Sequence, residues 1–317
     1  MYRRTEIDNS NLRNAVIAAL LMIAGAASAA LASPANVSFS QSATSVAAYD
    51  FVEVTINVAS PDAKNPFTDA AVEAQFGKTG ESKRLSVDGF CDSADGSVFR
   101  VRFMPWAPGE YTYSITYRQG AFTKSNSGSF RATDGHRRGP MRVDPKYPWH
   151  FIWEGTGEHY FFNGTTAFWL MGWREDRIIN NIIDRVRGMK VNRIRALIAG
   201  ATDILWGEPV MPGGNFTTFL RPWPAERPES LDRPGIDFTR FNIPYWQKWD
   251  RMMRYAWDRD VIISAILDIS THQAQPGVAS EDERRYIRYA VARLSAFSNL
   301  TYDLGDDLDS YRDEKWA

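Results

Sequence analysis

The sequence predicts a multi-domain protein in which an all-β sandwich precedes the first half of a (β/α)8 TIM barrel. Three observations carry this prediction. From Phe51 onward, apolar and polar residues alternate over short segments, the period-two pattern of half-buried strands. Beyond Phe151, buried strands alternate with amphipathic helices, which is typical of a parallel sheet. The stretch from Asn299 to Asp309 then places an apolar strand, a glycine and a run of acids in the order expected at a barrel mouth.

Length and composition are those of an ordinary globular protein with room for two domains. The chain has 317 residues, 44% of them hydrophobic, and a formal net charge of -1. Since there is no basic excess, we do not expect nucleic acid as a partner. The 11 Trp suit sugar binding as well as aromatic cores. None of the four His is spaced as a ligand pair, so we expect no metal and no other cofactor.

Residues 1–32 have the pattern of a secretory signal peptide. Basic residues up to Arg13 precede an apolar run from Ala15, which ends in small residues at Ala32. A retained membrane anchor is the competing interpretation, which the richness of the run in Ala and Gly disfavours. We therefore expect cleavage after Ala32, no stable membrane anchor afterwards, and a secreted or periplasmic bacterial protein.

Residues 33–134 are predicted to form the sandwich. Strands are expected at Val52–Val58, Val72–Phe76, Phe99–Phe103 and Tyr111–Tyr117. Such short strands between turn signals, over roughly 100 residues, are typical of an immunoglobulin-like domain. No titratable cluster stands out, so we interpret it as a support or binding module. The sole cysteine, Cys91, is expected to be a buried small hydrophobe.

Residues 135–158 are predicted to be a linker with a hairpin at Gly155–Gly157, and residues 159–317 a partial barrel. The predicted strands of this barrel are Ala167–Met171, Ile194–Ile198, Val261–Leu267 and Leu300–Leu304. The predicted helices run through Ile178–Val186, from about Ile243 to Arg259, and from Ser280, where Glu283 completes a capping box. A complete eight-unit barrel takes ~250 residues, so this part holds about half of one.

Three motifs carry a resemblance that covers most of the mature chain. They are the hairpin exit Gly157-Glu-His-Tyr-Phe-Phe-Asn-Gly164, the strand end Trp169-Leu-Met-Gly-Trp173, and the acidic fourth strand. Together with the sandwich, they resemble secreted glycoside hydrolases of the clan A barrel type. The resemblance is nearest to bacterial glycosidases in which an immunoglobulin-like domain of unknown function precedes an apiosidase-like barrel. It implies a carbohydrate substrate.

The resemblance also implies the catalytic acids. In clan A the fourth strand ends in Asn-Glu, the Glu being the general acid/base, and Asp306-Asp307 stand at the matching place. Asp307 is thus the expected acid/base, with Asp306 beside it. Because an Asp carboxyl lies one methylene closer to the backbone, retaining and inverting mechanisms both stay open. The alternative is that these acids and Asp309 cap a following helix.

Further residues are implied as substrate contacts. Arg195 corresponds to the second-strand arginine that orients the catalytic carboxylates, a role that suits its bidentate fork. For Arg193, a surface arginine paired with a nearby acid is an equal alternative. His272 resembles a sugar-contacting histidine after the third strand, although a plain loop histidine, or a contact by Asp268 instead, stays open.

Aromatic residues near the strand ends are candidates for stacking on a sugar. Trp173 and Trp206 come first because they follow the first and second strands, ahead of Trp169 and Trp223. Helical spacing instead predicts core positions for Trp246, Trp249, Met253 and Trp257. The insert over 200–241 is too long for an ordinary loop, and we interpret it as a substrate-binding wall.

The expected function is hydrolysis of a poly- or oligosaccharide through paired carboxylates at the barrel mouth. The second carboxylate is expected beyond Ala317, so this chain alone is expected to be inactive. Because half a barrel leaves the edges of its first and fourth strands unpaired, this chain is also expected to be prone to self-association. A non-catalytic secreted carbohydrate-binding protein is the alternative. The sequence indicates neither the sugar, nor the linkage, nor the oligomeric state.

Overall fold

Strands predominate in the computed structural model, which describes residues 36–200, 214–230, 233–268 and 275–305, apart from the side chain of Asp268. The strands before residue 134 are β1 (Asn36–Gln41), β2 (Ser45–Ala47), β3 (Val52–Ala59), β4 (Ala70–Lys78), β5 (Arg84–Asp88), β6 (Phe90–Cys91), β7 (Val98–Phe103), β8 (Gly109–Gln119) and β9 (Phe122–Thr133). The later strands are β10 (Met141–Val143), β11 (Phe151–Trp153), β12 (His159–Tyr160), β13 (Gly164–Thr166), β14 (Arg193–Leu197), β15 (Ile262–Asp268) and β16 (Leu300–Gly305). The helices are α1 (Pro66–Asp69), α2 (Asp176–Gly188), α3 (Ile243–Trp257) and α4 (Glu281–Leu294).

The first nine strands form two sheets that share one core, called here the two-sheet unit (residues 36–133). The strand orders are β1-β3-β7-β6 and β2-β9-β8-β4-β5. Alternate residues of both sheets point inward, so that Ile56, Val101 and Ile115 have 0% exposure. Phe76 and Phe103 stack between the sheets with ring centroids 4.2 Å apart. The predicted period-two strands are thereby confirmed, and burial raises the pKa of the Cys91 thiol to about 12, as befits a core residue.

A small antiparallel sheet, β10-β11-β12, precedes the parallel sheet. The hairpin predicted at Gly155–Gly157 is present, with Phe151 paired to Tyr160. The sheet packs against Ile262, the first residue of β15, and the Tyr160 hydroxyl donates to Asn192 Oδ1 (2.8 Å), just before β14. It therefore lies at the amino ends of the parallel strands.

Strands β13, β14, β15 and β16 form a parallel sheet in that order, with helices between successive strands. The predicted alternation of strands and helices is confirmed. The first strand was predicted at Ala167–Met171 but occupies Gly164–Thr166, followed by a 3₁₀ turn at Leu170–Gly172. Leu170 and Met171 are both 2% exposed in the core beneath the helices. A buried 3₁₀ turn has the same apolar sequence as a buried strand, which is why the run was predicted to be a strand.

The helices bury the faces that their apolar spacing predicted. Trp246, Trp249 and Met253 on α3 have 0% exposure, and Trp257 has 7%, which confirms them as core residues. Helix α4 opens with the predicted capping box, in which Ser280 Oγ accepts from the Glu283 amide at 3.1 Å. Among the described residues, no helix combines the length and apolar character needed to cross a membrane.

Six charged side chains of alternating sign close a ring between the two-sheet unit and helices α3 and α4, and we call it the ionic ring. Its members, in order around the ring, are Glu53, Arg100, Asp92, Arg293, Asp250 and Arg102. The two-sheet unit supplies four of them, while Asp250 lies on α3 and Arg293 on α4.

Contacts around the ionic ring are direct and largely buried. Arg102 donates to both carboxylate oxygens of Asp250 at 2.8 and 2.9 Å, the bidentate geometry that guanidinium favours. Arg293, with 0% exposure, donates to Asp250 at 2.6 Å and to Asp92 at 2.9 Å. Because three cations face three anions, every charge in the ring has opposite charges as neighbours.

We predict that Asp250→Asn lowers the free energy of unfolding by about 3–5 kcal/mol, since it leaves two buried guanidinium groups without their shared carboxylate. Burial alone would raise the pKa of Asp250, but the hydrogen bond and charge of Arg102, together with the charge of Arg293, outweigh burial and lower it. The contribution of Asp250 is therefore complete above the ordinary carboxyl range and is lost as the pH falls through the folded-state pKa. Urea unfolding at several pH values measures both effects.

Glu73→Gln is the matched control, because Glu73 pairs with Arg118 at 2.6 Å while both side chains are about half exposed (55% and 49%). Its cost should stay below about 1 kcal/mol. Equal costs for the two variants, or a difference between wild type and Asp250→Asn that does not shrink on acidification, would contradict the role given to the ring.

Candidate active site

The carboxyl ends of the parallel strands are where reactive side chains are expected. Of the residues predicted there, Asp306, Asp307, His272 and Trp206 lie outside the described residues, as does the side chain of Asp268. The backbone of Asp268 is described, and it pairs with Gly305 in the register between β15 and β16. The last strand before the run of acids therefore ends level with the strand that ends in Asp268.

Arg195 forms an ion pair with Asp303 that spans one strand of the parallel sheet. Arg195 lies on β14 and Asp303 on β16, with β15 between them. The Arg195 Nε donates to Asp303 Oδ2 in a short contact. The two side chains are 28% and 22% exposed, so water screens the pair only in part. Ile194 and Ala196, which flank Arg195 on β14, pack into the core beneath the helices. Since neighbouring residues of a strand point to opposite faces, the pair lies on the sheet face opposite the helices.

Asp303 was not among the residues that the sequence indicated. The strand nevertheless carries a signal, because Leu300, Tyr302 and Leu304 alternate with Thr301, Asp303 and Gly305. The Tyr302 hydroxyl lies 2.7 Å from Ser295 Oγ at the end of α4, which fixes the helix-facing side of β16. Period-two reasoning applied to this strand would have placed Asp303 on the same face as Arg195.

Arg193 shares the sheet face of Arg195 but has a different environment. Its Nη2 donates to the Ser264 hydroxyl at 2.8 Å, and its guanidinium lies 4.6 Å from the ring centroid of Phe162. Burial lowers the pKa of Arg193. Its described hydrogen-bond partner is a hydroxyl, and the nearby charge of Asp303 acts against the effect of burial on its pKa. The interpretation as an arginine paired with a nearby acid therefore stays a prediction.

Trp173 lies directly after the 3₁₀ turn and contacts the long insert. Its backbone forms a β-bridge with Phe216, and the two rings meet edge to face at 5.0 Å. From α3, the Lys248 ammonium donates to the carbonyls of Met171 (3.2 Å) and Trp173. Burial lowers the pKa of Lys248. The Trp173 ring is half-buried, held between the strand end and the insert.

Trp223 cannot stack on a ligand, so its selection as a candidate is wrong. It has 0% exposure, and its ring lies 5.0 Å from those of both Phe238 and Tyr286. The Pro- and Trp-rich sequence around it resembled an exposed loop, but it packs beneath α4. Trp169, the other lower-ranked candidate, is half-buried.

The described residues of the insert, 214–230 and 233–241, pack against the core and the strand ends. Leu220 and Phe241 join the core at 1% and 3% exposure, and Pro222 accepts a hydrogen bond from the Trp246 indole at 2.9 Å. The insert also presses against the strand ends, since a Cβ at Gly172 would lie 2.0 Å from the Thr217 carbonyl oxygen. It therefore extends the core and fixes the loop that carries Trp173.

Within the ranges that the structure describes, no group of three or more His, Cys, Asp or Glu side chains has an arrangement that could hold a metal ion. The chemistry available at the described strand ends is thus that of an oriented guanidinium and carboxylate, an ammonium that donates to carbonyls, and a half-buried indole.

Comparisons with known proteins concern both parts of the chain. A family model, the domain of unknown function DUF5060, matches residues 45–118, which lie in the two-sheet unit. No curated protein sequence matches the chain significantly. Among solved structures, a putative glycoside hydrolase from Bacteroides vulgatus ATCC 8482 has 23% identity and a TM-score of 0.66, covering 84% of this chain and 50% of that protein.

Two further structures are less similar. A glycoside hydrolase family 5 protein from the same strain has 18% identity and a TM-score of 0.36, over 54% of this chain and 33% of its own. A beta-glucuronidase from Parabacteroides merdae has 10% identity and a TM-score of 0.29, covering 89% of this chain and 30% of its own. The chain spans about half the length of the first structure, with which it shares its fold.

We predict that Gly172→Ala destabilises the protein by about 1–3 kcal/mol, because its Cβ would collide with the backbone of the insert. Gly188→Ala is the matched control: Gly188 ends α2, nothing lies within 4 Å of its added Cβ, and Ala favours the helix. Thermal unfolding of both variants tests the contact. Gly172→Ala as stable as Gly188→Ala would show that the insert does not press on the strand end.

Proposed function

We propose that this chain contributes an immunoglobulin-like sandwich and the first four strands of a (β/α)8 barrel to a secreted glycoside hydrolase of the clan A, apiosidase-like type. The substrate class is a poly- or oligosaccharide. Support comes from the four parallel strands in sequential order with helices between them. Such an order is what successive units of a barrel produce. The fold shared with the Bacteroides vulgatus structure agrees with it.

The observation that carries the proposal is the Arg195–Asp303 pair near the carboxyl ends of the strands. Asp303 precedes Asp307 by four positions in the chain. By the resemblance, Arg195 corresponds to the arginine that orients the catalytic carboxylates, a role that suits a guanidinium with five donors in a fixed fork. Two-carboxylate hydrolysis requires two acids that flank the glycosidic bond, and a guanidinium nearby can hold such acids in a fixed orientation.

In the proposed mechanism, Asp307 is the general acid/base. It donates a proton to the glycosidic oxygen as the bond from that oxygen to the anomeric carbon breaks. Repulsion from the adjacent Asp306 would help to keep Asp307 protonated before the reaction. The second carboxylate that either stereochemistry needs would come from a later strand of the barrel, as the resemblance implies. Sugar contacts are assigned to Trp173, Trp206, Asp268 and His272, the first of which is held at a strand end.

A non-catalytic carbohydrate-binding protein would use the same aromatic residues, with the acids merely accepting hydrogen bonds from hydroxyl groups. The two functions differ in one observable. A hydrolase releases new reducing ends from an oligosaccharide, whereas a binding protein retains the sugar intact. Incubation of the whole protein with a panel of oligosaccharides therefore separates them.

In the full-length enzyme, to which all the rate measurements below refer, we predict that Asp307→Asn lowers the rate of hydrolysis of oligosaccharides, which have poor leaving groups, by roughly 100- to 10,000-fold. The rate of hydrolysis of an aryl glycoside with an acidic phenol as leaving group should fall less, because the phenolate departs with little need for proton donation. Initial rates on both kinds of substrate, with thermal unfolding as a check on folding, measure the effect.

Asp309→Asn is the control for that experiment, since Asp309 belongs to the same run of acids but has no assigned catalytic role. It should keep nearly wild-type rates. Wild-type turnover of oligosaccharides by Asp307→Asn would remove Asp307 from the mechanism.

We also predict that Asp303→Asn lowers kcat by roughly 100-fold with little change in KM, because an arginine without its partner no longer holds the reacting carboxylate within about 1 Å of its position. Asp303→Glu should restore part of kcat, since it returns the negative charge. Steady-state kinetics on one oligosaccharide tests both variants.

Asp184→Asn provides the comparison, because Asp184 also pairs with an arginine, Arg259, but on the outer surface of the helices. It should alter neither constant. If Asp303→Asn changes thermal stability alone and leaves kcat intact, the pair is structural and does not position the catalytic groups.

A further inference from the structure

Four aromatic rings form an exposed cluster on the loop between β10 and β11 and on the adjoining strand β12. They belong to Tyr147, Trp149, His150 and His159, with successive centroids 5.3 to 6.1 Å apart. Trp149 is 73% exposed, and Tyr147 is 37% exposed. We call this cluster the Trp149 platform. A cluster of exposed apolar rings is a feature of ligand-binding surfaces, because a ligand can cover apolar area that otherwise faces water.

The loop is built to hold these rings in place. Asp144 is buried at 6% exposure, and its Oδ1 accepts from the amides of Lys146 (2.8 Å) and Tyr147 (3.3 Å). The His150 amide donates to the Tyr147 carbonyl at 2.8 Å, and the Asp144 amide donates to the His150 carbonyl at 2.9 Å. Because the turn is closed at both ends, the platform loses little conformational entropy on binding a ligand.

Polar groups border the rings on two sides. His159 Nε2 lies 3.5 Å from Asp144 Oδ2, and the Lys146 ammonium lies 5.0 Å from the centroid of the Tyr147 ring. Imidazole nitrogens and an ammonium group can hydrogen-bond with hydroxyl groups beside an aromatic face. Because the Lys146 ammonium lies over the face of Tyr147, the exposed ring of Trp149 is the surface left for a ligand. An exposed indole with polar groups close by matches a pyranose, whose C–H face meets the negative face of an aromatic ring and whose hydroxyls lie at its rim.

A protein partner fits this surface less well. Trp149 and Tyr147 together expose on the order of 250 Å² of side chain. A specific protein interface buries about 800 Å² on each partner. A single sugar ring needs only one aromatic face. The more exposed aromatic nearby, Phe161 at 81%, stands outside the cluster.

We propose that the Trp149 platform is a carbohydrate-binding site that takes a pyranose unit of a neutral polysaccharide. The sheet that carries it lies at the amino ends of the parallel strands, through the contacts of Tyr160 with Asn192 and Ile262. The platform is thus at the opposite end of these strands from Gly305, the last residue of β16, and it binds without taking part in hydrolysis. The proposal does not depend on the proposed catalytic function.

The test is native electrophoresis of the chain in gels that contain arabinoxylan, mixed-linkage β-glucan or galactomannan. We expect at least one polysaccharide to slow the wild-type chain. Trp149→Ala should weaken that binding at least about tenfold, the loss typical of a central aromatic anchor. Trp149→Phe should keep part of it, because the aromatic face is retained.

Phe161→Ala is the matched control, since it removes an equally exposed aromatic outside the platform, and it should bind as wild type does. The gels measure binding and not hydrolysis, so a failure of the catalytic proposal leaves this result unchanged. The proposal is overturned if no gel slows the wild type, or if Trp149→Ala is slowed equally. It is also overturned if gel filtration shows self-association that Trp149→Ala abolishes, because the platform would then bind a second copy.

Discussion

The ionic ring is the interaction on which the rest of the structure depends, because it joins the two-sheet unit to the helices behind the parallel sheet. Asp250 on α3 and Arg293 on α4 each contact a partner from the two-sheet unit, Arg102 and Asp92 respectively. Burial makes these contacts demanding. A buried charge that misses its partner costs several kcal/mol, so the ring tolerates only a narrow range of orientations. A similar area of purely apolar contact could slide.

From the ring, the constraint passes to the strands. Helix α3 leads into β15 and α4 into β16, and Asn299 ties the two connections together by donating to the carbonyls of Met253 (3.3 Å) and Val261 (3.0 Å). The stagger of β15 and β16 therefore follows from the seating of the helices on the two-sheet unit. The sequence predicted a support module in that unit because no titratable cluster stood out in it. The structure brings four charged side chains of the unit together in the ring, where they bind helices α3 and α4.

Periodicity predicted most of the fold but less of the site. Regular elements such as α3 are visible in sequence because one apolar stripe, with Trp246 and Trp249, decides their burial. Long-range pairing is not visible in this way: that Arg195 meets Asp303 depends on strand order and register, which local patterns do not encode. The prediction that Trp223 stacks on a sugar was wrong for a related reason. The Pro-rich composition around it gives no indication that the loop folds back beneath a helix and buries the ring.

The Arg195–Asp303 pair has to span strand β15, which lies between the two residues and carries Ser264. Neighbouring strands lie about 4.8 Å apart, so β14 and β16 are separated by roughly 10 Å, a distance that a long arginine and a short aspartate span together. The pair runs diagonally over β15, because Arg195 is level with Ser264 whereas Asp303 is level with Ile266. Ser264 has 0% exposure and a small side chain, and its hydroxyl accepts from Arg193. Because Ser264 is small, it leaves room at the level of Arg195 for the side chains of both arginines of β14, and a bulky residue there would crowd the start of the pair's path towards Asp303.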